Sequence, residues 1–283
     1  RRRCLQAACL WFSPTLRQGL CWNQSKYPSD SLPRQLAGRC FFGCFREDKM
    51  LRRAFTVSNL TYRVGEATLI DRVDLHGYPG EVIAIIGPNG AGKSTLLRLL
   101  AGDLVPDEGI VLVGDLDTSQ VSPVELARER AVMRQGGSPD IPFTAAAVVE
   151  MGRYPRRNDP GGSLEADRAA IITAMERTDT AHLAARAFAT LSGGEQTRVS
   201  MARTMAQQAP LILLDEPTTA LDVAHQERLL AEIRLLATED HCVVAVLHDL
   251  NAAAFYADRV VLMANARIRV DGTPREVLQA DLL

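Results

Sequence analysis

The chain has 283 residues, 47% hydrophobic and 23% charged, which is ordinary for a globular protein and excludes a disordered, collagen-like or disulfide-stapled whole. The net charge of −2 gives no global sign of a nucleic-acid binder, and no run approaches the ~18 apolar residues of a membrane span. A seam lies near residue 49: residues 1–49 hold nine Lys/Arg against three acids, and the rest of the chain is acidic. Five of the six Cys and both Trp precede that seam, and all seven Met stand at or after Met50. Arg1–Arg3 with the apolar stretch behind them mimic a secretory signal, and the acid-poor remainder resembles a transit peptide. The reading that best suits the nucleotide chemistry further on is an over-extended start, with Met50 as initiator. Residues 1–49 are therefore expected to be disordered or non-native, and 50–283 to form one domain. A chain beginning at Met50 is expected to fold by itself. Cys40 and Cys44 form a lone C-x3-C, a weak zinc signal.

In chain order, the first predicted elements are strands at 55–62 and 69–75 with a turn near Gly65, an antiparallel edge. Three short apolar runs follow at 82–86, 211–214 and 243–247. They are continuous rather than alternating, the pattern of strands buried on both faces of a parallel sheet. Between residues 122 and 208 the pattern turns helical, over 123–130, 144–151, 164–178 and 196–207, with a Pro- and Gly-bearing break at 155–162. The tail predicts a hairpin, 259–263 to 267–270, and a last helix after Thr273-Pro274. Cys242, at the head of an apolar run, is expected to be a buried thiol. The fold class is α/β, with a mostly parallel core sheet, an antiparallel β-subdomain and a helical subdomain at about 122–208.

Each apolar run leads into polar chemistry, and ligands of open α/β sheets bind beyond the carboxyl ends of the strands. The first run ends at Gly87-Pro88-Asn89-Gly90-Ala91-Gly92-Lys93-Ser94, a G-x4-G-K-[ST] loop followed by Thr95. Its glycines let backbone N–H groups wrap a phosphate, Lys93 reaches the β- and γ-phosphates, and the Ser94 hydroxyl is a Mg²⁺ ligand. The helix behind it points its positive end at the anion. The second run ends at Asp215, suited to the Mg²⁺ held by Ser94, and Glu216, suited to polarise an attacking water. The third ends at His248, within reach of a γ-phosphate; a strand-end capping group is the blander alternative.

Leu191-Ser192-Gly193-Gly194-Glu195-Gln196 precedes a helix. Ser192 and Glu195 fit a capping box, and the glycines between them leave N–H groups bare at a positive helix end, a second anion-binding feature. One chain with two such helix ends needs an explanation.

These residues resemble the ATP-binding cassette (ABC) ATPase family, of the P-loop NTPases. Residues 191–196 match its LSGGEQ signature, and the resemblance covers 53–283. It implies that Tyr62 stacks on adenine and that Gln135 is the Q-loop residue, which also contacts Mg²⁺. It further implies that Asp222 belongs to the D-loop segment Ala220-Leu221-Asp222 and that His248 is the switch histidine. It implies ATP and Mg²⁺ as ligands and a head-to-tail dimer in which Ser192, Gly193 and Gly194 of one copy close over the P-loop of the other. Thr197 and Thr219 depart from commoner family residues without touching the chemistry. Phe143-Thr144, Met151-Gly152-Arg153-Tyr154-Pro155, His248-Asp249-Leu250-Asn251 and Tyr256-Ala257-Asp258-Arg259 resemble segments of the ATPases of haem, iron-siderophore and vitamin B12 importers. Glu195 and residues 201–207 look most like the haemin-import branch. That resemblance implies two transmembrane permease subunits, an extracytoplasmic haem-binding protein acting indirectly, and a place at the cytoplasmic face of the membrane. The alternatives are an iron-siderophore or cobalamin importer and, more remotely, a soluble ABC ATPase. The segment 143–154 is expected to line a permease-docking groove through its aromatics and Val148, Val149 and Met151.

Overall fold

A computed structural model describes residues 52–134, 142–157 and 163–279. The expectations for residues 1–49 and for Gln135 fall outside the described residues. The elements run β1 (Phe55–Val64), β2 (Ala67–Gly77), β3 (Val82–Ile86), α1 (Lys93–Leu100), β4 (Glu108–Val113), β5 (Leu116–Asp117), α2 (Pro123–Glu129) and β6 (Arg130–Met133). There follow α3 (Ala145–Glu150), a 3-10 turn (Met151–Arg156), α4 (Leu164–Arg177), α5 (Gly193–Ala206), β7 (Leu211–Asp215) and α6 (Val223–Thr238). The chain continues through β8 (Cys242–Val246), α7 (Leu250–Tyr256), β9 (Arg259–Ala264), β10 (Arg267–Gly272) and α8 (Pro274–Val277).

Two sheets form, in the orders β2-β1-β4-β5 and β10-β9-β3-β8-β7-β6. In the second, β9, β3, β8, β7 and β6 pair in parallel and β10 returns antiparallel at the edge. Every residue of β3, β7 and β8 is buried, and alternation sorts them to opposite faces. Val82, Ala84 and Ile86 pack into the core with Val199, Met201 and Leu229. Ile83 and Ile85 pack into the other with Phe55, Leu96 and Leu99. A strand covered on both faces needs no polar side, which is why these runs are continuously apolar.

Three boundaries differ from the sequence reading. The stretch 122–208 also contains β6, where the sequence reads 131–134 as strand-like; it pairs with β7 in the core sheet, Ala131 opposite Ile212, so the helical subdomain is not continuous over those bounds. Helix α5 begins at Gly193 rather than 196, since the Ser192–Glu195 capping box sets its start. Strand β4 had no sequence signal: only Val111 and Val113 are buried in it, and Gly109 interrupts it at φ 88°. Cys242 is buried.

Candidate active site at the strand ends

Beyond Ile86 the chain turns through glycines that tertiary contact demands. A Cβ at Gly87 would lie 2.0 Å from the Met263 carbonyl oxygen, and one at Gly92 would lie 2.5 Å from that of Leu69. Gly90 differs: its φ is 80°, but a Cβ there would meet nothing within 4 Å. It lies with Pro88 and Asn89 on the exposed crest of the loop, while Ala91 is buried. Gly92 caps α1 with no side-chain hydrogen bond, and no acid occupies the first turn. The bare N–H groups and the positive helix end thus face the loop uncompensated, as an anion site requires. The Lys93 ammonium is buried and donates to the Gly87 and Pro88 carbonyls at 2.8 and 3.0 Å. Thr95 is half-buried beside Ser94.

The Ser94 hydroxyl donates to Asp215 Oδ1 at 3.0 Å. Burial raises the Asp215 carboxyl above its ordinary value, with the Ser94 hydrogen bond opposing and the neighbouring Glu216 charge adding. Glu216 takes a left-handed backbone, φ 51°, which turns its carboxylate away from Asp215 along a sharp strand exit. One oxygen accepts from the Thr219 hydroxyl at 3.2 Å and the other lies 2.5 Å from His248 Nε2. The site groups therefore come from the ends of β3, β7 and β8, which are neighbours in the sheet. Thr219, which the sequence reading sets apart from the chemistry, is corrected here: its hydroxyl touches Glu216, a contact that no local pattern signals in a segment without periodicity.

Tyr62 lies in β1 opposite Ile70, half-buried against the core. Among the described residues no hydrogen bond joins it to the phosphate loop.

The signature segment stands elsewhere in the chain. Ser192 caps α5: its hydroxyl receives the Glu195 N–H at 3.3 Å while the Glu195 carboxylate receives the Ser192 N–H at 2.7 Å. That N–H holds the Glu195 carboxyl below the usual range. Gly194 packs close to the D-loop, where a Cβ would lie 3.2 Å from the Ala220 oxygen. Asp222 caps α6, accepting the His225 N–H at 2.9 Å and contacting its ring Nδ1, and these bonds lower its carboxyl. Among the described residues no hydrogen bond links Ser192, Gly193 or Gly194 to Lys93 or Ser94. The structure thus unites the phosphate loop with Asp215, Glu216 and His248; Gly193 shares a cavity lining with Glu216 and Thr219, and among the described residues no hydrogen bond joins Tyr62, Ser192–Gly194 or Asp222 to that cluster.

The 143–154 segment corrects one expectation. Val148 and Val149 are buried core residues, whereas Phe143, Met151 and Tyr154 are exposed. Helix α3 turns its valines inward against α4 and α5 of the helical layer, so its exposed large apolar side chains stand beyond its two ends.

Comparison with known proteins shows a match to the "ABC transporter" family model over residues 70–219. The chain is 49% identical to the hemin import ATP-binding protein HmuV of Nocardia farcinica over 215 residues, 76% of this chain and 74% of the relative. It is 49% identical to HmuV of Streptomyces coelicolor over 224 residues, 79% of each. It is also 43% identical to the cobalamin import ATP-binding protein BtuD of Halobacterium salinarum, covering 80% of this chain and 57% of that one. Among solved structures, the cassette MJ0796, a dimeric post-hydrolysis state bound to ADP and Pi, matches with a TM-score of 0.70 and 29% identity, covering 78% of this chain and 99% of that one.

Proposed function

The chain belongs to the ABC transporter family, and we propose that it is the ATP-hydrolysing subunit of a haem importer. The observation that carries the ATPase reading is the convergence of Lys93, Ser94, Asp215, Glu216 and His248 on three adjacent strand ends. Haem as cargo rests on the HmuV relatives. Cobalamin is the second reading, supported by the BtuD relative.

Lys93 has two charge-assisted bonds to loop carbonyls, and an incoming triphosphate exchanges them for bonds to its β- and γ-oxygens. The bare N–H groups at Gly92 and along α1 bind the same anion. The Ser94 hydroxyl and the Asp215 carboxylate are hard oxygen donors 3.0 Å apart, a donor set that fits Mg²⁺. When bound, Mg²⁺ neutralises developing charge on the phosphates. Glu216 accepts the proton of the attacking water, and His248 and Thr219 hold its two oxygens in place.

Among the described residues no hydrogen bond joins the signature segment to the phosphate loop of its own chain. The segment supports a head-to-tail dimer in which Ser192, Gly193 and Gly194 of a second copy complete each ATP site and Asp222 lies at the junction. Tyr62 is assigned to the adenine and Gln135 to the nucleotide and its Mg²⁺. No helix among the described residues is long and apolar enough to cross a membrane. Two permease subunits would supply the translocation path, with this chain at the cytoplasmic face and an extracytoplasmic haem-binding protein delivering cargo.

The test is co-expression with the haem permease of the same organism, capture from detergent-solubilised membranes, and reconstitution in liposomes. ATP-driven haem uptake, unaffected by excess cobalamin, is the expected result. Capture of no permease, or uptake of cobalamin instead of haem, overturns the haem-importer reading.

A further inference from the structure

A cavity of about 30 Å³ lies where three helices meet. Arg177 lines it from the end of α4, with Asp179 just beyond, Arg198 from α5, and His225, Arg228 and Glu232 from α6. Most of the charge there is already matched. Arg177 donates through Nε to Glu232 and through Nη1 to Glu239, the latter at 3.0 Å. Arg228 lies 3.8 Å from Asp179, and the His225 ring meets Asp222 through Nδ1 at 2.8 Å. Two guanidinium nitrogens are left over. Arg177 Nη2 and Arg198 Nε are both buried, and neither has a protein acceptor among the described residues. Arg198 also has no hydrogen-bonded carboxylate there. Glu195, three residues before it on α5, feels its charge but is engaged by Ser192 and Arg186.

A guanidinium does not shed its proton, so a buried N–H on it costs stability until an acceptor arrives. Carboxylates and phosphates are recognised by a planar fork of parallel N–H groups. Here the Arg177 fork is spent on two glutamates, and what remains is one nitrogen from each of two side chains on different helices. Single donors of this kind suit a spherical anion, which has no preferred direction of approach. The volume agrees: it exceeds the ~10–15 Å³ that one water needs but leaves no room for a tetrahedral oxyanion. A water would satisfy the hydrogen bonds and leave the Arg198 charge unbalanced, whereas an anion answers both. We infer that this cavity is a binding site for a monatomic halide, chloride foremost, held between Arg198 and Arg177 beside the first turns of α6. Arg198 stands one turn beyond Glu195 and His225 one turn beyond Asp222, so the ion ties the helix capped by Ser192 to the helix capped by Asp222.

The test uses the nucleotide-free full chain in sodium chloride, bromide and gluconate at one ionic strength of about 0.15 M. Chloride and bromide should each raise the melting temperature by about 3 °C over gluconate, an anion too large for the cavity. Crystals grown in bromide should show an anomalous-scattering peak within hydrogen-bonding reach of Arg177 Nη2 and Arg198 Nε. Arg198→Gln should lose that peak and melt at the same temperature in all three salts. Arg228→Gln, which removes a lining charge but neither buried donor, should keep both the peak and the chloride response. The parent measurements decide the matter even where a variant does not fold. Equal melting in the three salts, with water in the cavity, overturns the inference. A bromide peak without any chloride-dependent gain is an adventitious ion only and overturns it too. So does a chloride gain that survives in Arg198→Gln, which would place the ion elsewhere.

Discussion

Glu216 Oε1 lies 2.5 Å from His248 Nε2, although the two residues are separated by a helix and stand at the ends of different strands. Strands β7 and β8 pair in parallel with Asp215 opposite Val246, so both exits emerge on one side of the sheet. The left-handed φ of Glu216 then aims its carboxylate across to the histidine. For Glu216→Gln we predict retained ATP binding, hydrolysis reduced by ~10²–10⁴-fold, and an ATP-bound dimer that persists long enough to be isolated by size exclusion. Hydrolysis near the parent rate in the presence of permease would remove Glu216 from its role.

Lys93 tests binding rather than turnover. Its ammonium makes two bonds to loop carbonyls, so Lys93→Ala loses both the phosphate contact and part of the loop's own support. Charge-assisted bonds of this kind contribute ~1.5–3 kcal/mol each, and ATP affinity should fall by at least about tenfold, measured by isothermal titration.

The loop glycines should divide into two classes. Gly92→Ala places a methyl group 2.5 Å from the Leu69 oxygen at φ 100° and should destabilise the fold by ~3 kcal/mol or more in urea titration. Gly90→Ala meets no atom within 4 Å and carries only the cost of φ 80°, about 1 kcal/mol. It should nonetheless weaken ATP binding, because the added methyl group stands on the exposed crest that receives the phosphates.

Asp215 couples stability to pH. Its folded-state pKa is raised, with burial the largest cause. The folded protein therefore holds this proton more tightly than the unfolded chain, and the contribution favours folding below the unfolded pKa. It declines as pH rises through the interval up to the raised folded value. Above that interval the ionised carboxylate carries its desolvation cost. Asp215→Asn should raise the melting temperature of the nucleotide-free protein by ~2 °C at pH 7 and by less at pH 4, while abolishing Mg²⁺-dependent hydrolysis. Equal gains at both pH values would show that burial of the charge is not the cause.

Positions 149 and 151 separate packing from docking. Val149 is fully buried, and Val149→Asp should prevent folding, seen as loss of cooperative thermal unfolding. Met151 is 42% exposed. Met151→Asp should fold, keep basal ATPase activity, and transport haem at a rate reduced by about tenfold in reconstituted vesicles.

The sequence alone determined the phosphate loop, the Asp215–Glu216 pair and the capping box at Ser192, because each is a local device: a backbone conformation or helix end specified by residues within a few positions. It also determined β3, β7 and β8, since burial on both faces leaves a continuous apolar run. Tertiary structure alone decided which strand lies beside which. It thereby decided that Glu216 meets His248, that β6 belongs to the core sheet, and that Val149 faces inward while Met151 faces out. The same holds for Arg177 and Arg198. In the sequence they are two cations among thirty-two, and no spacing relates them, because residues on separate helices come to line one cavity only when those helices pack together.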